Sequence, residues 1–142
     1  MLGIRFSWVA VTKKGGWVDS DNPCVGWKRG DGSRAALARD WAVSSYAGAA
    51  AEERLGEGVA PWYRDFDNAE TWLGSFAPPR GAAYVGDDVY EKQAMTLRRR
   101  AQRLVDRHWV AIDRIARALL RLDALQEHEV AAVVRGEALP AR

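Results

Sequence analysis

The chain contains 142 residues with a mass of 15.8 kDa, which is the size of one domain with its own core. Hydrophobic residues make up 48% and charged residues 28%, a balance that excludes a disordered chain. The formal net charge of +2 argues against a strongly basic nucleic-acid-binding protein and against an acidic tail. We therefore expect a single domain over 1–142, with a sheet part at 1–32, a helical part at 33–136 and a tail at 137–142.

The cysteine content and the apolar runs indicate the environment of the protein. Cys24 is the only cysteine and cannot form an internal disulfide, so we expect a reducing, cytoplasmic setting. No apolar run approaches the ~20 residues that a membrane-spanning helix needs, and we expect no membrane association. The first ten residues contain Arg5 and lack a small-residue cleavage site, which is unlike a signal peptide.

Alternating residues near the N-terminus predict a small antiparallel sheet. Residues 4–12 read as a strand because apolar and aromatic side chains recur at every second position. One face of this strand carries Ile4, Phe6, Trp8 and Ala10. Residues 13–16 predict a turn, a return strand begins at Trp17, and residues 24–28 form a third short strand.

Two helices are predicted after the sheet. Ser33 is a suitable N-cap for a long first helix, which Gly56 ends. The apolar stripe of this helix is predicted to contain Leu37, Trp41, Ser44, Gly48, Ala51 and Leu55. A shorter helix is predicted over 65–76, where Pro78 follows as a breaker.

The C-terminal half of the chain is predicted to be helical throughout. A third helix begins at Asp87 or Asp88, and its apolar stripe reaches His108, where a break is expected. The helical pattern then continues to Leu122, and a last helix covers about 126–134. The predicted class is α+β, with a small N-terminal antiparallel sheet followed by a mainly helical bundle of four to five helices.

The two histidines do not form a zinc motif. His128 and Glu129 resemble the first half of H-E-x-x-H, but the required second histidine is replaced by Ala132. His108 falls on the predicted apolar stripe, so we expect a packed or interface histidine.

Two charged clusters leave alternatives open. A basic run on the third helix consists of Arg98, Arg99, Arg100, Arg103 and Arg107, and it is either a phosphate-binding face or, as we favour, a solvated surface. An acidic group consists of Glu52, Glu53, Asp65, Asp67 and Glu70. These carboxylates either bind a metal between facing helices or serve at helix ends.

The order of several segments resembles a known family. Residues 47–55, Ala-Gly-Ala-Ala-Ala-Glu-Glu-Arg-Leu, are similar to the G-G-x-x-A-E-E helix of the peptidase domain of FtsH-type ATP-dependent zinc metallopeptidases and their stand-alone bacterial relatives. Residues 4–16 resemble the strand and glycine turn that follow the zinc helix in that family. Residues 65–69 resemble the D-x-x-x-A segment, and residues 104–130 resemble the C-terminal helices.

The resemblance implies a zinc hydrolase domain involved in proteolysis. By this likeness Asp65 corresponds to the third zinc ligand, and Glu52 and Glu53 correspond to residues that support the metal site. The H-E-x-x-H helix of the family would precede Gly3, so the chain is expected to be truncated before the zinc helix. We therefore assign no catalytic residue, and we expect neither peptidase activity nor zinc binding by this chain alone.

Two other functions remain open in the sequence. The first is a non-catalytic protein or peptide interaction module, in which Phe6, Trp8 and Ala10 bind a peptide along the edge strand 4–12. The second is a nucleic-acid-binding helical domain that uses Arg98–Arg107, which the low net charge disfavours. A face rich in tryptophan is expected to contact a partner or a second copy of the chain, and it contains Trp8, Trp17, Trp27 and Trp41.

Overall fold

A computed structural model describes residues 6–12, 15–20, 35–56, 62–74 and 86–139. In chain order the elements are β1 (Phe6–Thr12), β2 (Gly15–Ser20), α1 (Ala35–Leu55), α2 (Trp62–Gly74), α3 (Gly86–Leu122), β3 (Ala124–Gln126) and α4 (Glu127–Arg135). The predicted α+β class is confirmed, because the described residues form a small antiparallel sheet and four helices.

The described residues divide into two compact units. The first unit contains the described residues of 35–107, and the second contains those of 6–20 and 108–139. Helix α3 supplies residues to both. The predicted third strand at 24–28, together with Ser33 and Trp27, lies outside the described residues.

The sheet has the strand order β2-β1-β3, so β1 is its central strand. On one side β1 pairs antiparallel with β2, from Phe6 opposite Ser20 to Thr12 opposite Gly15, with an irregularity between Phe6 and Trp8. On the other side Trp8 lies opposite Gln126. The prediction of 4–12 as an edge strand is therefore wrong. The sequence predicts a loop and the start of a helix where the structure has β3. Three residues are too few to show a period-two pattern.

Helix α1 ends as predicted but buries a different face. Gly56 has a left-handed backbone (φ 73°), and its N–H donates to the carbonyl oxygen of Glu53, 3.1 Å away. The buried residues of α1 are Ala38, Ala42, Val43, Tyr46, Ala49 and Ala50. The predicted stripe is wrong at its end, where Leu55 is 63% exposed. The many alanines around this helix make its apolar faces almost equivalent in the sequence.

Helix α3 is one continuous helix of 37 residues, so the break predicted near His108 is wrong. No glycine or proline occurs between Asp87 and Leu122, and nothing in the local sequence interrupts the helix. His108 is exposed, so the prediction of a packed histidine is wrong, and the alternative of an interface histidine stays a prediction. Tyr90 and Ala101 are buried as predicted.

Each unit has its own buried cluster. In the first unit it contains Ala42, Val43, Tyr46, Ala69, Leu73, Tyr90, Ala94, Leu97 and Ala101. In the second unit it contains Ala118, Leu119, Leu125 and Val133. Glu129 is also buried there, and its carboxylate accepts the backbone N–H of Gln126 at 2.8 Å in a capping box that begins α4.

Candidate functional site

The predicted metal ligand Asp65 lies in the first turn of α2 and packs against Gly48 of α1. A Cβ atom at position 48 would lie 3.1 Å from Cγ of Asp65 and would collide with its Oδ2. The carboxylate therefore occupies the space that any side chain at position 48 would need. The small residue in the motif of α1 and the aspartate of α2 are therefore in direct contact.

The carboxylate of Asp65 is placed in an unfavourable environment. Its side chain is half-buried, and desolvation raises the pKa of Asp65 above the usual range of an aspartate. No hydrogen bond or ion pair to Asp65 is formed within the described residues. This desolvation makes Asp65 a candidate functional residue.

The two glutamates of the motif have different surroundings. Glu52 is half-buried and lies one helical turn after Gly48, on the same side of α1. Glu53 is exposed. Of the two glutamates, Glu52 therefore lies on the side of α1 against which Asp65 packs. The prediction that both glutamates support a metal ligand stays a prediction.

The residues in place do not fit a zinc centre on their own. Zinc in a hydrolase needs three protein ligands, usually including histidine. Nowhere in the described ranges do three or more histidine, cysteine, aspartate or glutamate side chains come together. His108 and His128 are both exposed and belong to the second unit, whereas Asp65 belongs to the first. Asp65 can supply at most one ligand.

The residues predicted to bind peptide lie on the central strand. Phe6, Trp8 and Ala10 all belong to β1, and Ala10 is half-buried. The side chains of Phe6 and Trp8 are outside the described part of the structure. Because β1 pairs with β2 and β3, a peptide that adds a strand would pair with an outer strand instead. The longer of the two outer strands is β2, and no other described strand pairs with it.

The tryptophan-rich face is described at only one of its predicted members. The ring of Trp41 packs against that of Trp72, with centroids 5.7 Å apart and planes tilted by 30°. Trp41 is half-buried, and its Nε1 atom has no hydrogen-bond partner in the described structure. This tryptophan thus packs between α1 and α2, and a role in association with a partner stays a prediction.

In the basic run of α3, Arg98 and Arg100 contact other side chains of the first unit. The guanidinium of Arg98 lies 4.4 Å from the ring centroid of Phe66 and 5.3 Å from that of Tyr46. Arg100 forms an ion pair of 3.1 Å with Asp40. The remaining arginines of the run are exposed and follow each other at intervals of four residues: Arg99, Arg103 and Arg107.

The aromatic pair beneath Arg98 was missed in the sequence. Tyr46 and Phe66 meet edge to face with centroids 5.6 Å apart. Burial raises the pKa of Tyr46, and the positive charge of Arg98 opposes part of that rise. The available signal in the sequence is that Arg98 follows Leu97 and lies one turn after Ala94. It therefore borders the apolar side of α3, where an exposed arginine can cover aromatic rings.

Comparison with known proteins adds no relative: none of the protein-family models matches this chain, and no curated protein matches it either. None of the described helices is both long enough and apolar enough to cross a membrane.

Proposed function

We propose that this chain carries a metallopeptidase-related domain of the FtsH type, in which Asp65 is the metal ligand that the chain contributes. The observation that carries the proposal is the contact between Asp65 and Gly48. It joins the two segments whose order in the sequence resembles the family, and it holds a carboxylate partly out of water.

The chain alone is proposed to be inactive as a peptidase. Its only histidines are His108 and His128, and neither belongs to an H-E-x-x-H motif. A metal-bound water needs a complete ligand set before it becomes a nucleophile at neutral pH. We therefore expect no stoichiometric zinc and no chelator-sensitive cleavage of casein by the 142-residue chain.

The decisive experiment supplies the histidines in trans. A fluorescently labelled helical peptide with an H-E-x-x-H sequence from an FtsH-type peptidase is titrated with the chain, with and without zinc, and its anisotropy is measured. We expect association that depends on zinc and that Asp65→Asn weakens by at least roughly ten-fold. Asp67→Asn is the matched control, because it removes the same charge from an exposed position of the same helix.

Two results would contradict the proposal. One is association that does not depend on zinc. The other is an equal loss of affinity in the Asp65 and Asp67 variants, which would indicate a general effect of charge on α2 rather than a ligand.

A second candidate is a non-catalytic peptide-binding module. The observation that favours it is the edge of β2, residues Gly15–Ser20, to which no further described strand is bonded. Strand addition there uses backbone groups and needs no metal. A labelled peptide library should give chelator-insensitive binding that shifts the amide resonances of β2. Shifts confined to other elements would exclude this candidate.

A further inference from the structure

An open cleft lies in the second unit between the last turns of α3 and the residues that follow α4. Its volume of about 360 Å³ falls within the range of small-molecule sites. One wall is basic and consists of Arg114, Arg117 and Arg121. The rest of the lining includes the apolar side chains of Ala118, Val133 and Leu139.

The three arginines share one face of α3. Their spacing of three and then four residues places them in line over about 10 Å of the helix axis. Arginine side chains are long enough to converge on one bound group from such positions. The regular geometry of α3 is therefore sufficient to place the three arginines along one wall of the cleft.

The charges of the cleft do not cancel. Arg117 is neutralised by Asp113 at 2.8 Å. The carboxylate of Glu137, which also lines the cleft, is already bonded to Arg135 at 2.5 and 2.9 Å. Arg114 donates a long hydrogen bond of 3.5 Å to the neutral carbonyl oxygen of Val134.

Of the three arginines in the cleft, Arg121 is the one most accessible to an anionic ligand. It is exposed, and the described residues offer it neither an ion pair nor a hydrogen bond. Arg114 and Arg121 therefore bring two positive charges to the cleft without a compensating carboxylate. Two guanidinium groups can each bind two oxygen atoms of one phosphate group, and their combined charge matches a phosphate better than it matches a single carboxylate.

The apolar part of the cleft is held in place by the second core. Val133 is buried in that core, and Leu139 packs against it. From these contacts and charges we propose that the cleft binds a phosphorylated small molecule. Arg114 and Arg121 hold its phosphate, and its apolar portion lies against Val133 and Leu139.

Phenyl phosphate is a suitable probe, because it combines both features. Its binding is followed by amide chemical shifts of the full chain, alongside inorganic phosphate and benzoate. We expect saturable binding of phenyl phosphate with shifts around Arg121 and Val133. Inorganic phosphate should bind several-fold more weakly because it lacks the apolar contact, and benzoate more weakly because it carries one charge fewer.

Variants separate the site from general attraction to a cation. Arg121→Gln should weaken binding of phenyl phosphate by about ten-fold. The matched control is Arg103→Gln, an exposed arginine of the same helix in the first unit, and it should change affinity by less than about two-fold. Equal losses in the two variants, tighter binding of benzoate, or no saturation with phenyl phosphate would overturn the proposal.

Discussion

The two units bury their cores in different ways. In the first unit alanine is the most frequent member of the described cluster, so that helix backbones approach closely, as Gly48 allows at Asp65. In the second unit the cluster is mainly Leu119, Leu125 and Val133. In the first unit, backbones and polar groups therefore come close to the core. In the second unit, larger aliphatic side chains fill it.

The polar groups follow the same division. Trp41 Nε1 and Gln93 Oε1 are buried without a hydrogen-bond partner in the described structure, and both belong to the first unit. Glu129 of the second unit is buried but bonded. Buried polar groups without partners cost stability, and proteins retain them mainly where function requires them. Asp65 belongs to the same unit as these atoms.

The largest effects should come from emptying either core. Leu73 and Leu125 are both 0% exposed, so replacing either with alanine removes buried surface and leaves a cavity. Leu73 belongs to the larger cluster, which includes buried residues of three helices, so we expect Leu73→Ala to cost about 4 kcal/mol. Leu125 belongs to the smaller cluster of the second unit, so we expect Leu125→Ala to cost about 3 kcal/mol.

Urea unfolding of both variants measures this difference. Hydrogen exchange adds the location, because each variant should lose protection first around its own cluster. If Leu125→Ala lowered the free energy of unfolding more than Leu73→Ala, the expected difference between the units would be wrong. The first core would then collapse more easily than the second.

A double-mutant cycle tests the contact between Gly48 and Asp65. In the interior of a helix, glycine to alanine normally stabilises by about 1 kcal/mol. Here the new methyl group would collide with the carboxylate, so we expect Gly48→Ala to destabilise by about 1 kcal/mol instead. In the Asp65→Ala background the collision is gone, and the same substitution should stabilise.

The coupling energy is the difference between the two effects of Gly48→Ala. We expect a coupling of about 2 kcal/mol from thermal or urea unfolding of the four proteins. Additive effects would mean that Asp65 can turn away freely, and they would remove the structural support for its proposed role.

The pH dependence of stability should show the desolvation of Asp65. Burial raises the pKa of Asp65 in the folded state, so the folded chain binds more protons than the unfolded chain above about pH 4. This carboxyl therefore lowers the free energy of unfolding as the pH rises through that window. Asp65→Asn should remove this loss and become relatively more stable as the pH increases.

The difference between variant and wild type isolates this effect. Asp113 and Glu137 have lowered pKa values because of Arg117 and Arg135, and they act in the opposite direction in both proteins. Asp67→Asn is the control for charge on α2. A flat difference curve for Asp65→Asn between about pH 4 and 7 would show that this carboxyl is hydrated.

The sequence predicts the first unit's helices better than its contacts. The end of α1 at Gly56 follows from glycine chemistry, and the stripe from Tyr90 to Ala101 follows from helical periodicity. The sequence places Arg98 beside the apolar side of α3, but it does not predict which rings Arg98 covers, because those rings belong to two other helices. A basic run alone cannot show which of its members are already engaged.

In the second unit the sequence does not predict strand β3 at the junction between α3 and α4. Strand β3 exists because β1 offers it pairing partners that are more than a hundred residues away in the chain. Local pattern carries no signal for such pairing, and tertiary context decides it. The interpretation of 4–12 as an edge strand is wrong for the same reason, whereas peptide binding by Phe6, Trp8 and Ala10 stays a prediction.

The smallest expected effect is that of Asp123→Gly at this junction, where a residue other than glycine has a left-handed backbone. Asp123 follows α3 with a left-handed backbone (φ 60°), its N–H donates to the carbonyl oxygen of Leu119 and its carbonyl accepts from Val11, both at 2.8 Å. Glycine adopts this conformation without steric cost, so Asp123→Gly should stabilise the chain by about 0.5 kcal/mol. Asp123→Val should destabilise it by more than 1 kcal/mol, because a β-branched residue tolerates a left-handed backbone poorly. If urea unfolding showed both variants destabilised equally, the aspartate side chain would have to contribute to the junction, and the second unit would resemble the first in depending on a polar group.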